Sequence, residues 1–264
     1  MHPILFQYGP VTLYSFGFMV AVGFLVAAMV AAADAPRHGL RRDDLLDAAT
    51  WVVLAGLAGA RLLYVVLHWS EVGGWSWNLV AIWKGGMSFH GGLVGGALAL
   101  AIFARVRGLP LAALLDAVAP ALAIGYAIGR VGCLLNGCCH GHATDLPWAM
   151  RFPSPQGGWT EPSHPTQIYA SIAGLALFAL LRAARPHLAR PGQLAALCVV
   201  GYSVYRFLVE FARRGASANV LALGLTEAQW ASLVLAAGAT AAVLALQRAP
   251  AKRPLPGESE SPVP

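Results

Sequence analysis

The stretch GRVGCLLNGCCHG, residues 129–141, gathers one arginine, three cysteines and a histidine into thirteen positions. Three chemistries compete for such a set. Cys133, Cys138, Cys139, His140 and His142 supply enough soft ligands for tetrahedral zinc. The spacing is not C-x2-C, however, and adjacent cysteines seldom both bind one ion, so no metal is expected. A disulfide of Cys138 with Cys133 or Cys139 fits an oxidising compartment. The simplest reading is a set of small, buried, non-catalytic thiols lining a turn after Arg130, with Cys198, inside an apolar run, as a further small hydrophobe.

An arginine at the centre of a spanning helix costs about 2.5–3.5 kcal/mol on insertion scales, so one within or at the end of an apolar run, as Arg130 is, faces a cavity or a partner. No acid stands three or four residues from it, which predicts a partner elsewhere in the fold or an anionic ligand. Arg61, in GLAGARLLYV, and Arg206, in YRFLVEFAR, lie in comparable runs, with Asp116 and Glu210 as the nearby acids. Arg206 and Glu210 are four apart on one helix face, close enough to form a structural ion pair.

His90, in GGMSFHGGLVGG (85–96), is the side chain suited to take a proton near neutral pH, although a histidine at a span end also serves as a plain interfacial hydrogen-bonding residue. Around it, Gly91 with Gly95 and Gly92 with Gly96 have the four-residue spacing that lets helix backbones approach closely. Arg213 and Arg214 end a later run and read either as a phosphate site or as side chains snorkelling to headgroups.

The elements that must position these groups follow from composition. The chain has 264 residues, 58% hydrophobic and 11% charged, a balance seldom shown by a water-soluble globule of this length. About 20 mostly apolar residues cross a bilayer, and seven stretches qualify: 12–33, 45–68, 88–106, 111–132, 165–184, 193–212 and 226–247. The expected fold class is an all-α integral membrane protein of about seven transmembrane helices. MHPILFQYGP carries no Lys or Arg and no cleavage site follows it, so the first span is expected to stay rather than to be removed as a signal peptide.

Positive charge orients the spans. Alternate connections hold Arg37, Arg41, Arg42, Arg105, Arg107, Arg182, Arg185, Arg190, Arg248, Lys252 and Arg253, against Lys84, Arg151, Arg213 and Arg214 on the other side. The richer side is expected to be cytoplasmic, with the N-terminus outside and the C-terminus inside. The net charge of +6 is then a topology signal facing anionic lipid and needs no nucleic acid. Trp69, Trp75, Trp77, Trp83, Trp148, Trp159 and Trp230 fall toward the outer headgroup layer, and only Trp51 toward the inner one. One polytopic domain, 1–249, is expected, with an outer-side loop region around 133–164 and a disordered cytoplasmic tail at 250–264.

GGMSFHGG, GRVGCLLNGCCHG, HPTQIYA and YRFLVEFAR, in this order and separation, resemble the bacterial prolipoprotein diacylglyceryl transferases from about residue 10 to 247. The order of four motifs is specific, whereas each alone is weak. The resemblance implies a seven-span inner-membrane enzyme that moves the diacylglyceryl group of phosphatidylglycerol to the lipobox cysteine of a preprolipoprotein and releases glycerol phosphate. It implies catalytic roles for His90 as base and for Arg130 and Arg213, and substrate-binding roles for Asn136, Gly141, Arg206, Glu210, Gly91 and Gly92. Its partners are phosphatidylglycerol, the preprolipoprotein signal peptide and membrane lipid, with no cofactor.

The chain departs from the family at Cys133 in place of Asn, Cys138 in place of Glu, Phe16 in place of Tyr and Ala170 in place of Glu. This pattern marks a divergent branch. The alternatives are a different acceptor, a non-enzymatic lipid binder or transporter, and a thiol or metal protein. Transport predicts discontinuous helices in two matching halves, and the sequence has no such symmetry.

Overall fold

A computed structural model describes residues 1–9, 11–74, 76–82, 85–154, 156–213 and 219–248. Trp75, Trp83, Lys84, Arg214 and the tail 250–264 lie outside the described residues. The expectation of an almost wholly helical chain holds. Among the described residues seven helices are long and apolar enough to cross a membrane, as in a multi-pass membrane protein. They are α1 (Ser15–Asp34), α2 (Arg42–Leu67), α4 (Phe89–Val106), α5 (Leu111–Asn136), α6 (Thr166–Ala184), α7 (Gln193–Glu210) and α8 (Glu227–Arg248), with a single short turn, α3 (Trp69–Val72), after α2. In hydrocarbon every backbone polar group must be satisfied within its own segment, which makes these apolar runs helical.

The first span starts three residues later than its hydropathy suggests. Ile4–Tyr8 (β1) and Val11–Tyr14 (β2) pair as an antiparallel hairpin, so residues 12–14 belong to a strand. Alternating apolar and polar side chains in VTLY fit a ribbon as well as the start of a helix. The hairpin is tied to the bundle by the His2 amide, which donates to the Leu135 carbonyl at 2.9 Å, and by the Ser15 hydroxyl, which donates to the His2 carbonyl.

Helix α5 is the hub. Half of its most apolar stretch is buried, against 11–28% for the other spans, and it packs on α1, α6 and α7. Its small residues Ala113, Ala117, Ala121, Ala123 and Ala127 are buried, so neighbouring backbones come close on several sides. Asp116 on α5 caps α7 from outside: its carboxylate accepts from the amides of Gly192 at 2.6 Å and Ala195 at 2.8 Å, satisfying donors that a helix start leaves free. At the same end of the bundle the buried Asp34 of α1 accepts from Arg37, Arg182 and Arg185 at 2.5–3.4 Å, fastening α1 to α6.

Helices α2 and α4 form a second unit that packs mainly on itself. A Cβ on Gly59 would stand 2.5 Å from the Gly91 carbonyl, and one on Gly95 would stand 2.5 Å from the Ala55 carbonyl. The glycine spacing around His90 is therefore spent on a backbone-to-backbone contact.

Arg61 lies beside that seam and is buried without any carboxylate partner among the described residues. Its Nε donates to Leu79 O at 3.0 Å, Nη1 to Gly85 O at 2.6 Å and Gly86 O at 2.7 Å, and Nη2 to Asn78 O. One guanidinium thus gathers the connection that leads into α4.

Candidate active site

The last turns of α5 carry Arg130, Cys133 and Asn136, and Gly137 closes the helix in the left-handed region at φ 75°. The chain then reverses. Cys139 also takes a left-handed φ of 65°, a conformation costing a non-glycine residue about 1–2 kcal/mol. Together these two residues fold Cys138 and Cys139 back onto the helix end. The sulfurs of Cys133, Cys138 and Cys139 all lie within 4.8 Å of one another, with Cys138 and Cys139 3.6 Å apart.

The spacing argument against a shared ion thereby fails. It assumed an ordinary turn between ligands, whereas here a helix end and two left-handed residues bring adjacent thiols to one point. Among the described residues all four cysteines are free thiols. Hydrogen bonds from Cys133, then from Cys139 and Asn136, hold the Cys138 thiol far below the usual thiol range.

The HPTQIYA motif clamps this turn. Thr166 donates from its hydroxyl to Cys139 O at 2.7 Å, and Gln167 donates from its amide to Cys138 O at 2.6 Å. Both side chains come from the first turn of α6 and are buried. Gly141 next passes between two other segments. Its amide donates to His164 O at 2.8 Å, it bridges Arg213 in antiparallel fashion, and His142 N donates to Ala212 O at 3.2 Å. A Cβ at Gly141 would collide with Ala212 O and stand 2.7 Å from the His164 Cβ, so only glycine fits this crossing. His142 extends the same seam, with Nε2 3.0 Å from Phe211 O and Nδ1 2.8 Å from Ala143 O. Beside it, burial first and the neighbouring His142 second lower the His164 pKa.

Three arginines converge through this framework. Arg130 lies over the Tyr126 ring, one turn back on α5, at 4.9 Å from its centre. Tyr126 donates to the Tyr205 hydroxyl at 3.3 Å and meets the Tyr202 ring edge-on at 5.6 Å. Tyr202 stands one turn before Arg206 on α7, and Arg213, just beyond that helix, is bridged to Gly141. Arg206 forms an ion pair with Glu210, whose other oxygen accepts from Thr226 at 3.2 Å, so the structural pairing suggested by their spacing is present. Arg130 and Arg213 have no carboxylate partner among the described residues.

The expected site residues thus divide into two groups. Arg130, Asn136, Gly141, Arg206, Glu210 and Arg213 gather where α5, α7 and the 137–143 turn meet. His90, Gly91 and Gly92 belong to α4, which packs on α2 and only slightly on α5. His90 is exposed, stands edge-on to Phe89 at 5.7 Å and has no hydrogen bond among the described residues. Gly91 is buried against Gly59, and Gly92 faces Gly56 at ordinary contact distance. Thr166, Gln167 and Tyr205 stand inside HPTQIYA and YRFLVEFAR without a role assigned from the sequence, and Tyr126 and Tyr202 lie outside the quoted motifs. The four-residue spacing of Tyr126 and Arg130 is the signal that places an aromatic face under the arginine.

Seven bilayer-length helices with a polar centre at one end of the hub helix define a multi-pass membrane protein built around an arginine cluster. A family model described as prolipoprotein diacylglyceryl transferase matches residues 3–245. Among curated relatives, the phosphatidylglycerol–prolipoprotein diacylglyceryl transferase of Bordetella avium is 35% identical over 263 residues, covering 96% of this chain and 97% of its own. The protein of the same name from Trichormus variabilis is 35% identical and covers 98% and 94%. That of Azotobacter vinelandii is 41% identical over 228 residues, 80% of each chain. The chain belongs to the prolipoprotein diacylglyceryl transferase family.

Proposed function

We propose that this chain transfers the diacylglyceryl group of phosphatidylglycerol to the lipobox cysteine of a preprolipoprotein in the bacterial inner membrane. Family membership supports the reaction, and the arginine cluster supplies its chemistry. The N-terminus lies outside and the C-terminus inside, which puts the 133–164 region and the arginine cluster at the outer face. Residues 1–249 act as one membrane domain.

Sulfur attacks the sp3 glycerol carbon while the C–O bond to phosphate breaks and glycerol phosphate leaves. Charge grows on the phosphate oxygens as that bond lengthens, so fixed cations stabilise the transition state more than the bound lipid. Arg130 carries this role: it has a planar fork suited to two phosphate oxygens, an aromatic face behind it, and no carboxylate among the described residues to neutralise it. Arg213 is brought alongside by its bridge to Gly141, and Arg206 is held in register by Glu210. Asn136 and Gly141 shape the turn over the lipid headgroup, and Gly91 and Gly92 act at a distance from it, by seating α4 on α2 so that His90 is presented. His90 takes the proton of the incoming thiol, which requires the acceptor peptide to lie between α4 and α5.

The single observation that carries this reading is the placement of Arg130 over Tyr126, whose ring meets Tyr202 one turn before Arg206, with Arg213 bridged to the turn that follows Arg130's helix. The test is restoration of lipoprotein modification in cells depleted of their own transferase, with glycerol phosphate release measured on the purified chain. Normal expression with neither outcome sinks the proposal.

A further inference from the structure

We propose that Cys133, Cys138 and Cys139 form a three-thiolate zinc site whose open fourth position takes the acceptor cysteine thiol and activates it for transfer. The inference rests on the transferase reading above and adds a metal to it. Three observations carry it.

First, geometry. Zinc–sulfur bonds of about 2.3 Å in a tetrahedral arrangement set neighbouring sulfurs about 3.8 Å apart. The three thiols lie within 4.8 Å of one another, with one pair at 3.6 Å, so side-chain rotation of under about 1 Å closes the set around one ion. Second, the backbone is bent for this purpose: the left-handed Cys139 is the residue whose conformation turns its sulfur onto Cys138. Strain of that kind persists only where the surroundings over-determine it, and here Thr166 and Gln167 clamp both carbonyls of the vicinal pair.

Third, position. Cys133 lies one turn beyond Arg130 on the same helix, so a sulfur bound at this cluster stands beside the cation assigned to the leaving phosphate. Three thiolates and a divalent ion leave one negative charge, which Arg130 offsets.

Three protein ligands plus one exchangeable position is the pattern of a catalytic rather than a structural zinc site. A thiol that coordinates zinc is deprotonated outright, so activation no longer depends on a base beside Arg130. The acceptor S–H loses its proton to His90 or water as the Zn–S bond forms. That sulfur's electron pair makes the new C–S bond, the C–O bonding pair leaves with glycerol phosphate, and the resulting thioether, a weaker ligand, is displaced by the next thiol. No electron transfer is involved.

The full chain, reduced and purified without metal in detergent micelles, is titrated with Co(II) as the spectroscopic probe and with Zn(II) as competitor. One Co(II) per chain is expected, with thiolate charge-transfer absorption for three sulfurs. A lipobox peptide should raise that absorption by about a third, and its Cys-to-Ser analogue should not. Cys138→Ser should bind at least about 100-fold more weakly, and Cys198→Ser should bind as the parent does. If Cys138→Ser does not fold, alkylation of the folded parent with N-ethylmaleimide replaces it and should abolish uptake.

No uptake, uptake insensitive to the peptide thiol, or binding that survives loss of Cys138 overturns the inference. Full turnover in a metal-free chain also overturns it while leaving the transferase reading intact. A cobalt site that responds to the thiol, in a chain that releases no glycerol phosphate from phosphatidylglycerol, upholds the site and sinks the transferase reading instead.

Discussion

Replacing Arg61 by Ala should open the connection into α4 without unfolding the α5 hub. The guanidinium donates to the carbonyls of Asn78, Leu79, Gly85 and Gly86. Hydrogen bonds from a charged donor contribute about 1.5–3 kcal/mol each. Loop carbonyls that can turn to water recover part of this, and if two of the four do, the net loss is about 3 kcal/mol. That corresponds to roughly a 150-fold larger population of the open loop at 1.4 kcal/mol per factor of ten. Arg61→Lys keeps the charge but not the fork, and should lie between the parent and the alanine variant.

The Ser88 amide, which donates to Ala60 O at 2.9 Å across the same seam, is the reporter for hydrogen exchange. Its exchange should accelerate about 100-fold in Arg61→Ala, while the Gly141 amide, held by His164 O at 2.8 Å, keeps its protection. Because residues 85–88 lead directly to His90, turnover should fall through kcat with little change in KM for lipid. The reasoning is refuted by unchanged Ser88 protection, or by equal loss at Ser88 and Gly141, which would make Arg61 a general stabiliser rather than a pin for this loop.

Arg130→Lys should lower glycerol phosphate release about 100-fold or more although the charge is kept, because a point charge replaces a bidentate fork; near-parent turnover would show that only general positive charge matters. Gly141→Ala should cost about 1–3 kcal/mol through overpacking against Ala212 O and His164. Thermal unfolding compared with Gly129→Ala, where a Cβ meets nothing within 4 Å, checks this, and equal melting of the two would refute the crossing argument. Stability should also fall on acidification. The pKa of His164 is lowered in the fold, so below about 6.5 the unfolded chain binds more protons at this position than the folded one, and stability is lost from there down to the folded value. His164→Gln should flatten melting temperature against pH across that window, and an unchanged slope would assign the effect to other groups.

The spans were legible because a bilayer imposes length and apolarity on each helix, so seven apolar runs became seven helices with boundaries shifted by a few residues. Arg206 with Glu210 was legible for a similar reason, since four residues on one helix fix both partners. Arg61 was not. Its acceptors are backbone carbonyls 17 to 25 residues ahead, which no side-chain pattern announces. The thiol cluster escaped because ligand-spacing rules presume a loop of ordinary conformation, and a left-handed Cys139 cannot be read from residue types. The separation of His90 from the arginines is likewise a matter of packing, since α4 spends its glycines on α2.

Three arginines in apolar runs have met three different fates, and the difference singles out the centre. Arg61 is saturated by carbonyls, and Arg206 is paired with Glu210. Arg130 has the face of Tyr126, worth about 0.5–2 kcal/mol, and no carboxylate among the described residues, which leaves its charge available to an anion. On the proposed reading, a phosphodiester headgroup entering sideways from the bilayer meets a half-buried Arg130 and an Arg213 whose backbone is already fixed through Gly141, so little ordering is left to be done at the moment of reaction. The same arrangement explains why the glycine at 141 and the clamp from Thr166 and Gln167 matter. They hold the turn that places Arg213, just beyond α7, beside the end of the helix that carries Arg130, and on the proposed reading a loose turn would leave two cations repelling each other instead of one phosphate site.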